Sequence, residues 1–490
     1  MATEPIRYRF GPLERRGLVA GWRGGQIASV AGGLVVAVLT LRSRPGGPGA
    51  AVALTAVLLG VALACWPVAG RTGEEWLPIV TRWLATGLSG RRHVTDRPTA
   101  GLPARPAKPR GPFAGLELLE VAGTGAEHGD GVGVLRDGRE GTATAVLGLR
   151  GHTFALLGPD EKDRRVAGWS ALLASIAGPG SAVHRLQWIA SALPDDGRAV
   201  RSHLEERAVL AEDAPARRSY DGLLAAADDR TCRHEVLLAV QVRTTRGRAG
   251  RGAVPLLLRE VANVRRLCAE VDVAVDRVLD PRSLAAVCRR AGEAGAFEAQ
   301  PDRDGTAPGH RPAAADRWPW PMALEARWDG VRTDATWHAT YWVAEWPRVE
   351  VGPDFLGPLL LGTARRVVSV VMAPVEAERA ARQVEQARTA DIADAELRRR
   401  GGFLATARRA KEAEHAAARE AELAEGHTSF RFSGYVTVTA LSAEALVDAC
   451  EVTEQAASQS RLVLRRLYGD QDRAFTYTLP LCRGLTGRRR

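Results

Sequence analysis

The chain has 490 residues, 46% of them hydrophobic and 25% charged, with a formal net charge of +10. These are the values of a globular chain long enough for a membrane segment and two or three soluble units, and they exclude a disordered or collagen-like protein. Of the 67 basic residues only Lys108, Lys162 and Lys411 are lysines; with the abundant Ala and Gly this is the coding bias of a high-GC bacterium, which explains Arg over Lys but not the net charge.

Gly24 to Leu41 is a run of eighteen residues without a charge, and Pro45 to Gly70 one of twenty-six. About twenty apolar residues cross a bilayer core, so the pair predicts a tight transmembrane helical hairpin. Ala28-x-x-x-Gly32 and Ser29-x-x-x-Gly33 offer small faces for close helix packing. A cleaved signal peptide is the rival reading, and two apolar runs in succession fit a hairpin better. Arg7, Arg9, Arg15, Arg16 and Arg23 precede the first run, Arg71, Arg82, Arg91 and Arg92 follow the second, and Arg42 and Arg44 lie between. The excess of flanking arginines places both termini in the cytoplasm of a multi-pass inner (plasma) membrane protein.

Residues 74–88 form an amphipathic helix with Trp76, Val80, Trp83, Leu84 and Leu88 on one face. Beside a membrane this predicts an interfacial helix, and Trp76, Trp83, Arg82, Arg91 and Arg92 are the candidate membrane-interface residues. An ordinary helix packed on the soluble domain is the alternative. The membrane unit covers 1–90, and 91–112 is a basic, Pro-rich linker.

Two mixed units follow, 113–295 and 320–485. In the first, Val132–Leu135 and Thr142–Leu149 flank Asp137-Gly138 as a hairpin. Thr153–Leu157 is a further strand, Asp160–Ile176 a helix, His184–Ala190 a strand, and Ala199–Asp228 a charged helical region. Strands at His234–Arg243 and Val271–Leu279 enclose a helix over Val254–Glu270, and Ser283–Ala294 is helical. Residues 295–317 form a loop. In the second unit Met322–Trp328 and Thr336–Ala344 read as paired strands, and Arg366–Met372 as another. A projecting helical hairpin spans 374–425. Ser429–Ala440 is a strand, and Ser442 caps a helix with Ala445, Leu446, Ala449, Val452 and Ala456 inward. Strands interspersed with helices, several of them in hairpins, give an α+β fold.

Motifs for chemistry are absent. No lysine follows a glycine, so there is no phosphate-binding loop, and Gly123–Gly133 reads as a loop before a strand. The ten histidines form no H-x-x-x-H, and His184, His234 and His338 read as core or surface residues. There is no G-x-S-x-G, and Asp195-Asp196-Gly197 is turn chemistry. Cys65, Cys232, Cys268, Cys288, Cys450 and Cys482 contain no C-x-x-C and suit a reducing compartment. No catalytic residue, cofactor site or metal site is expected. The net charge suits either anionic lipid or nucleic acid; lipid is favoured because the richest basic stretch abuts the membrane segment, and direct nucleic-acid binding is not expected. The terminal Arg488-Arg489-Arg490 reads as a solvated tail.

The amino-terminal hairpin resembles the PrgI-type membrane components of conjugation and type IV secretion systems. The remainder resembles the non-ATPase amino-terminal half of TraC-like secretion ATPases, through Phe432-Ser433-Gly434-Tyr435-Val436-Thr437-Val438-Thr439-Ala440, Leu467-Tyr468-Gly469-Asp470-Gln471 and Ala474 through Leu481. Thr478-Leu479-Pro480-Leu481 is similar to the junction after which such ATPases begin their motor, and here nine residues remain. The chain thus looks like actinobacterial membrane proteins in which hairpin and domain are fused. The resemblance implies a non-catalytic scaffold that oligomerises and anchors a separate TraC-like ATPase beside other secretion-complex membrane subunits. An EccE-like component of type VII secretion and a membrane-bound enzyme with an unrecognised site are the alternatives.

Overall fold

A computed structural model describes residues 24–65, 71–95, 109–122, 131–150, 154–178, 180–194, 198–207, 214–227, 232–243, 252–293, 319–376 and 428–485, with scattered positions between 378 and 421. The loop expected over 295–317, most of the hairpin expected over 374–425 and the arginine tail lie outside the described residues.

Helices α1 (Gly24–Ser43) and α2 (Gly47–Cys65) pack along each other. Small residues set the distance: a Cβ at Gly33 would lie 2.8 Å from the Ala56 carbonyl oxygen, and one at Gly60 would lie 2.8 Å from that of Ser29. Of the two small-residue motifs, Ser29/Gly33 is the packed one. Gly32 has nothing within 4 Å, and Ala28 is exposed. The Gln26 amide donates to the Ala64 carbonyl at 2.7 Å, so the polar group in the first run is satisfied across the pair. Both helices are long and apolar enough to cross a membrane. Helix α3 (Gly73–Leu88) follows, its first residue pressed against Leu63.

The body is built on one antiparallel sheet. Its strands are β1 (His93–Thr95), β2 (Leu116–Val121), β3 (Val132–Asp137), β4 (Thr142–Leu149), β5 (Val183–Pro194), β6 (Cys232–Arg243) and β7 (Val275–Val278), then β8 (Ala323–Ala326), β9 (Val331–Thr333), β10 (Thr336–Glu345), β11 (Arg366–Val375), β12 (Ser429–Ala440) and β13 (Val463–Arg466). Among the described residues their order is β1-β8-β9-β10-β12-β11-β5-β6-β4-β3-β2, with β13 on β10 and β7 on β4. Helices α4 (Pro159–Ile176), α5 (Arg198–Arg207), α6 (Pro215–Ala227), α7 (Ala253–Glu270), α8 (Pro281–Gly292), α9 (Gly357–Leu360), α10 (Ala443–Gln459) and α11 (Gln471–Phe475) complete the described elements.

The α+β expectation holds, with local differences. The two expected units share one sheet, because β5 and β11 pair from Arg366↔Ala192 to Met372↔Leu186. The linker's first residues form β1, which pairs with β8. Phe154–Leu156 is a 3₁₀ turn rather than a strand. Strand β9 lies between the two strands expected to pair directly, since Asp334, at φ 47°, closes a tight turn onto β10.

Outward from the β5–β11 junction the strand order reads the same in both directions. Each half has an outer strand (β2, β8), a hairpin inside it (β3–β4, β9–β10), two long strands (β5–β6, β11–β12), a covering helix (α7, α10) and a short strand returning to the hairpin (β7, β13), and β1 is added beyond β8. The halves also share a polar contact. Thr144 of β4 faces Gln241 of β6 as His338 of β10 faces Thr439 of β12, and the side chains of each pair are hydrogen-bonded, at 3.2 and 2.9 Å. The body is therefore a structural repeat about a pseudo-two-fold at β5 and β11.

The faces differ. On one, Leu172, Ile176, Leu257, Val261 and Val264 of α4 and α7 cover Val134, Leu147, Leu186, Leu238 and Val240, while Leu359, Leu446 and Cys450 of α9 and α10 cover Tyr341, Val368 and Val436. Alternate residues of the same strands face the other way. Some form a second apolar core with Phe113, Trp320, Phe475 and Leu481, but Arg185, Gln187, Gln241, Thr437 and Ser369 are also buried there. Their partner is the segment 476–485, which crosses the sheet without joining it. Gln187 donates to the carbonyls of Tyr477 and Leu479, both at 2.9 Å, Gln241 donates to Leu481 at 3.1 Å, and Tyr435 donates to Gly484 at 2.6 Å. A strap with no ladder of its own needs side chains to satisfy its backbone, which is why polar residues lie in the middle of these strands.

Candidate functional site

Helix α3 joins the apolar hairpin to the body. Trp76 stacks on Trp328 with ring centroids 5.7 Å apart and lies 6.1 Å from Tyr468, while Trp83 meets Trp328 edge-on at 5.6 Å. The Arg92 guanidinium sits 3.7 Å from the Trp83 ring centroid and donates to the Trp83 carbonyl at 2.5 Å. Arg82 pairs with Asp470 and, at 3.4 Å, with Asp472. Burial pulls the Arg82 guanidinium below its usual range, and Asp472 opposes that shift. Gly469 closes the contact: its φ is +71°, and a Cβ there would lie 2.7 Å from Ile79 and 2.8 Å from the Trp328 ring. Only glycine combines that backbone with that approach.

The expected interface residues are therefore divided. Trp76, Trp83 and Arg82 are turned to the body, because aromatic and acidic partners wait there on the β8–β9 turn and on residues 468–472, while Arg92 folds back onto Trp83 of α3. Only Arg91 of the five is exposed. The outward face of α3 carries Leu77, Val80, Leu84 and Leu88 at helical spacing, with Leu77 65% and Leu88 92% exposed. An apolar stripe does run along α3, but it holds leucines and a valine without the tryptophans.

Beside α3 lies a cleft of about 1850 Å³. Its walls come from the end of α3, from β1, from the β3–β4 turn and from the strap. The turn is set by Asp137, whose Oδ1 accepts from the amides of Arg139 and Glu140 at 2.9 and 3.1 Å. Several lining arginines hold the site together. Arg483 pairs with Asp137 at 2.6 Å and donates to the Pro112 carbonyl at 2.7 Å. Arg185 pairs with Glu140 at 3.3 Å and donates to the carbonyls of Cys482 and Leu485 at 2.9 and 3.3 Å. Arg136 lies 3.6 Å from Glu117. With Asp472 on Arg82, each lining carboxylate is engaged by an arginine.

Arg91, Arg139, Arg243 and Arg473 also line the cleft and are exposed, and among the described residues their side chains carry no hydrogen bond or ion pair. Among these cations the lining is mixed, with Thr86, Thr476 and Tyr477 beside the apolar Leu119 and Val254. The positive field reaches beyond the rim. His184 is pushed down to about 4 by burial and then by Arg243, Arg185 and Arg431. Such a site can hold anions, and its committed carboxylates leave it poorly equipped to move protons.

His338 is fully buried between Thr333 and Thr439, at 2.6 and 2.9 Å, and burial with Arg365 nearby holds it down at about 3. It is a neutral core imidazole. His234 lies at the start of β6 and is exposed. Among the described residues no group of three or more His, Cys, Asp or Glu could hold a metal ion.

Sequence reasoning found α3 but missed the cleft, whose arginines are spread from Arg82 to Arg483 and converge only in the fold. No protein-family model matches the chain, and no curated protein does. What the fold presents is a sheet body clasped to two helices long and apolar enough to cross a membrane, with an arginine-lined cleft beside the clasp.

Proposed function

We propose that the protein is a non-catalytic inner-membrane scaffold of a conjugation or type IV secretion-like machine, with both termini in the cytoplasm, holding a separate TraC-like ATPase near the bilayer. The observation that carries this reading is the clasp. Trp76, Trp83 and Arg82 fix α3 to Trp328, Tyr468, Asp470 and Asp472, and the start of α3 packs on Leu63 of α2, which holds the body close to the apolar hairpin. Such a close hold is what a scaffold supplies and what a tethered soluble enzyme does not need. The exposed stripe Leu77-Val80-Leu84-Leu88 would lie on the bilayer, adding to the hold of the two spans. The loop 467–471, one of the segments resembling TraC-like proteins, forms part of the receptor for α3.

Purification of the tagged full chain from native membranes in mild detergent, followed by mass spectrometry of its partners, tests this. Recovery of a TraC-like ATPase with other secretion subunits is the expected result. Recovery of type VII core components would replace it with the EccE-like reading, and recovery of no partner would overturn the scaffold and call for a substrate screen.

A further inference from the structure

The arginine cleft has features that a solvated basic surface lacks. Arg185 is 8% exposed, and its Nε is buried without a hydrogen-bond partner among the described residues. Burying an unpaired donor is costly, and such donors are characteristically met by a ligand or by water. Arg139, Arg243 and Arg473 extend the same wall, contributed by the β3–β4 turn, the end of β6 and α11. Guanidinium groups converging from separate elements match phosphate oxygens, which accept bidentate hydrogen bonds, better than they match point-like anions. The cleft is also larger than the roughly 300–1,000 Å³ of an ordinary small-molecule site, and Leu119 and Val254 give it some apolar wall as well as charge.

We propose that this cleft is a binding site for a phosphate-bearing amphiphilic anion, held through Arg139, Arg185, Arg243 and Arg473. The nearest source is an anionic phospholipid. Arg82, Thr86, Gly90 and Arg91 bring the cleft to the carboxyl-terminal end of α3, and α3 follows the apolar hairpin after a link of only a few residues. A soluble organic phosphate is the other source of the same chemistry. The site does not depend on the scaffold reading, because it requires neither a motor nor a secretion machine.

The test uses the full chain in a nonionic detergent, with native mass spectrometry after addition of dioctanoyl phosphatidylglycerol, dioctanoyl phosphatidylcholine or inorganic pyrophosphate. Two triple variants are compared. R139Q/R243Q/R473Q removes exposed cations of the cleft, and R218Q/R265Q/R277Q removes exposed cations elsewhere. Equal melting temperatures for the three proteins establish that all are folded. The expected result is retention of phosphatidylglycerol over phosphatidylcholine, weakened about tenfold or more by the cleft variant alone, with a loss of affinity in high salt. Pyrophosphate binding with the same variant dependence, without lipid retention, would keep the phosphate site and assign it a soluble ligand. Absence of binding by all three probes, or equal weakening by both variants, would overturn the proposal.

Discussion

Gln187 accepts the backbone N–H of Cys482 on its Oε1 at 2.6 Å, across 295 positions of sequence. The same amide donates to Ser369 and to the carbonyls of Tyr477 and Leu479, so one side chain on a central strand holds much of the strap. Gln187→Leu keeps the volume but leaves a buried N–H and two carbonyls to find other partners. A loss of about 3 kcal/mol is expected, read as a lower denaturation midpoint of the full chain in detergent. A variant as stable as the wild type would show that the strap is not fastened there.

The clasp depends on Trp328, which meets both Trp76 and Trp83. Trp328→Ala should cost about 3–5 kcal/mol, concentrated in the attachment of α3. Amide hydrogen exchange over residues 73–88 should rise sharply while β5 and β6 stay protected. Uniform loss of protection would instead make Trp328 a general core residue.

Within the hairpin, two glycines one residue apart should behave oppositely to their neighbours' packing. A side chain at Gly33 or Gly60 would strike backbone oxygen at 2.8 Å, while one at Gly32 meets nothing within 4 Å. Gly33→Leu is expected to destabilise helix association by about 2 kcal/mol, whereas Gly32→Leu should be neutral. Thermal melting in one detergent compares them, and equal behaviour would refute the packing described.

Acid should weaken the fold through the buried His338 and the half-buried His184. His338 is held at about 3 against a usual 6.5 by burial, and His184 at about 4. The unfolded chain takes up these protons below about pH 6.5 and the folded chain does not. Stability is therefore complete above that pH and declines as pH falls toward the folded values. The slope is about 1.4 kcal/mol per pH unit for the fully buried His338 in that window, and smaller for His184, which solvent partly screens. His338→Gln should flatten the dependence between pH 7 and 5 in denaturant titrations. An unchanged slope would mean that His338 is protonated in the folded state.

Elements with strong local signals were legible in the sequence. The β3–β4 hairpin follows from Asp137-Gly138, and α10 from Ser442, whose Oγ accepts from the Ala445 amide at 3.1 Å. The hairpin α1–α2 follows from apolar length. Strands β1 and β9, of three residues each, are too short to show a period. The structural repeat is hidden because its halves share topology and register while their side chains differ, Thr144 and Gln241 in one half and His338 and Thr439 in the other. The packing of the α3 tryptophans on the body was not legible for a physical reason. Tryptophans beside a membrane suit an interface, but they suit an aromatic receptor equally, and Trp328 and Tyr468 lie far along the chain.

The receptor for α3 belongs entirely to the second half of the repeat, on the β8–β9 turn and residues 468–472. Apart from the chain that runs from α3 through β1 into β2, a pull on the first half reaches α3 by crossing the pseudo-two-fold. One load path is the β5–β11 ladder of seven residue pairs, sheared along its length. Another is the strap, which grips β5 through Arg185 and Gln187 and β12 through Tyr435 and Thr437. Together they form a lap joint with a stitched seam, and the stitches are the buried polar side chains that a purely apolar sheet would lack.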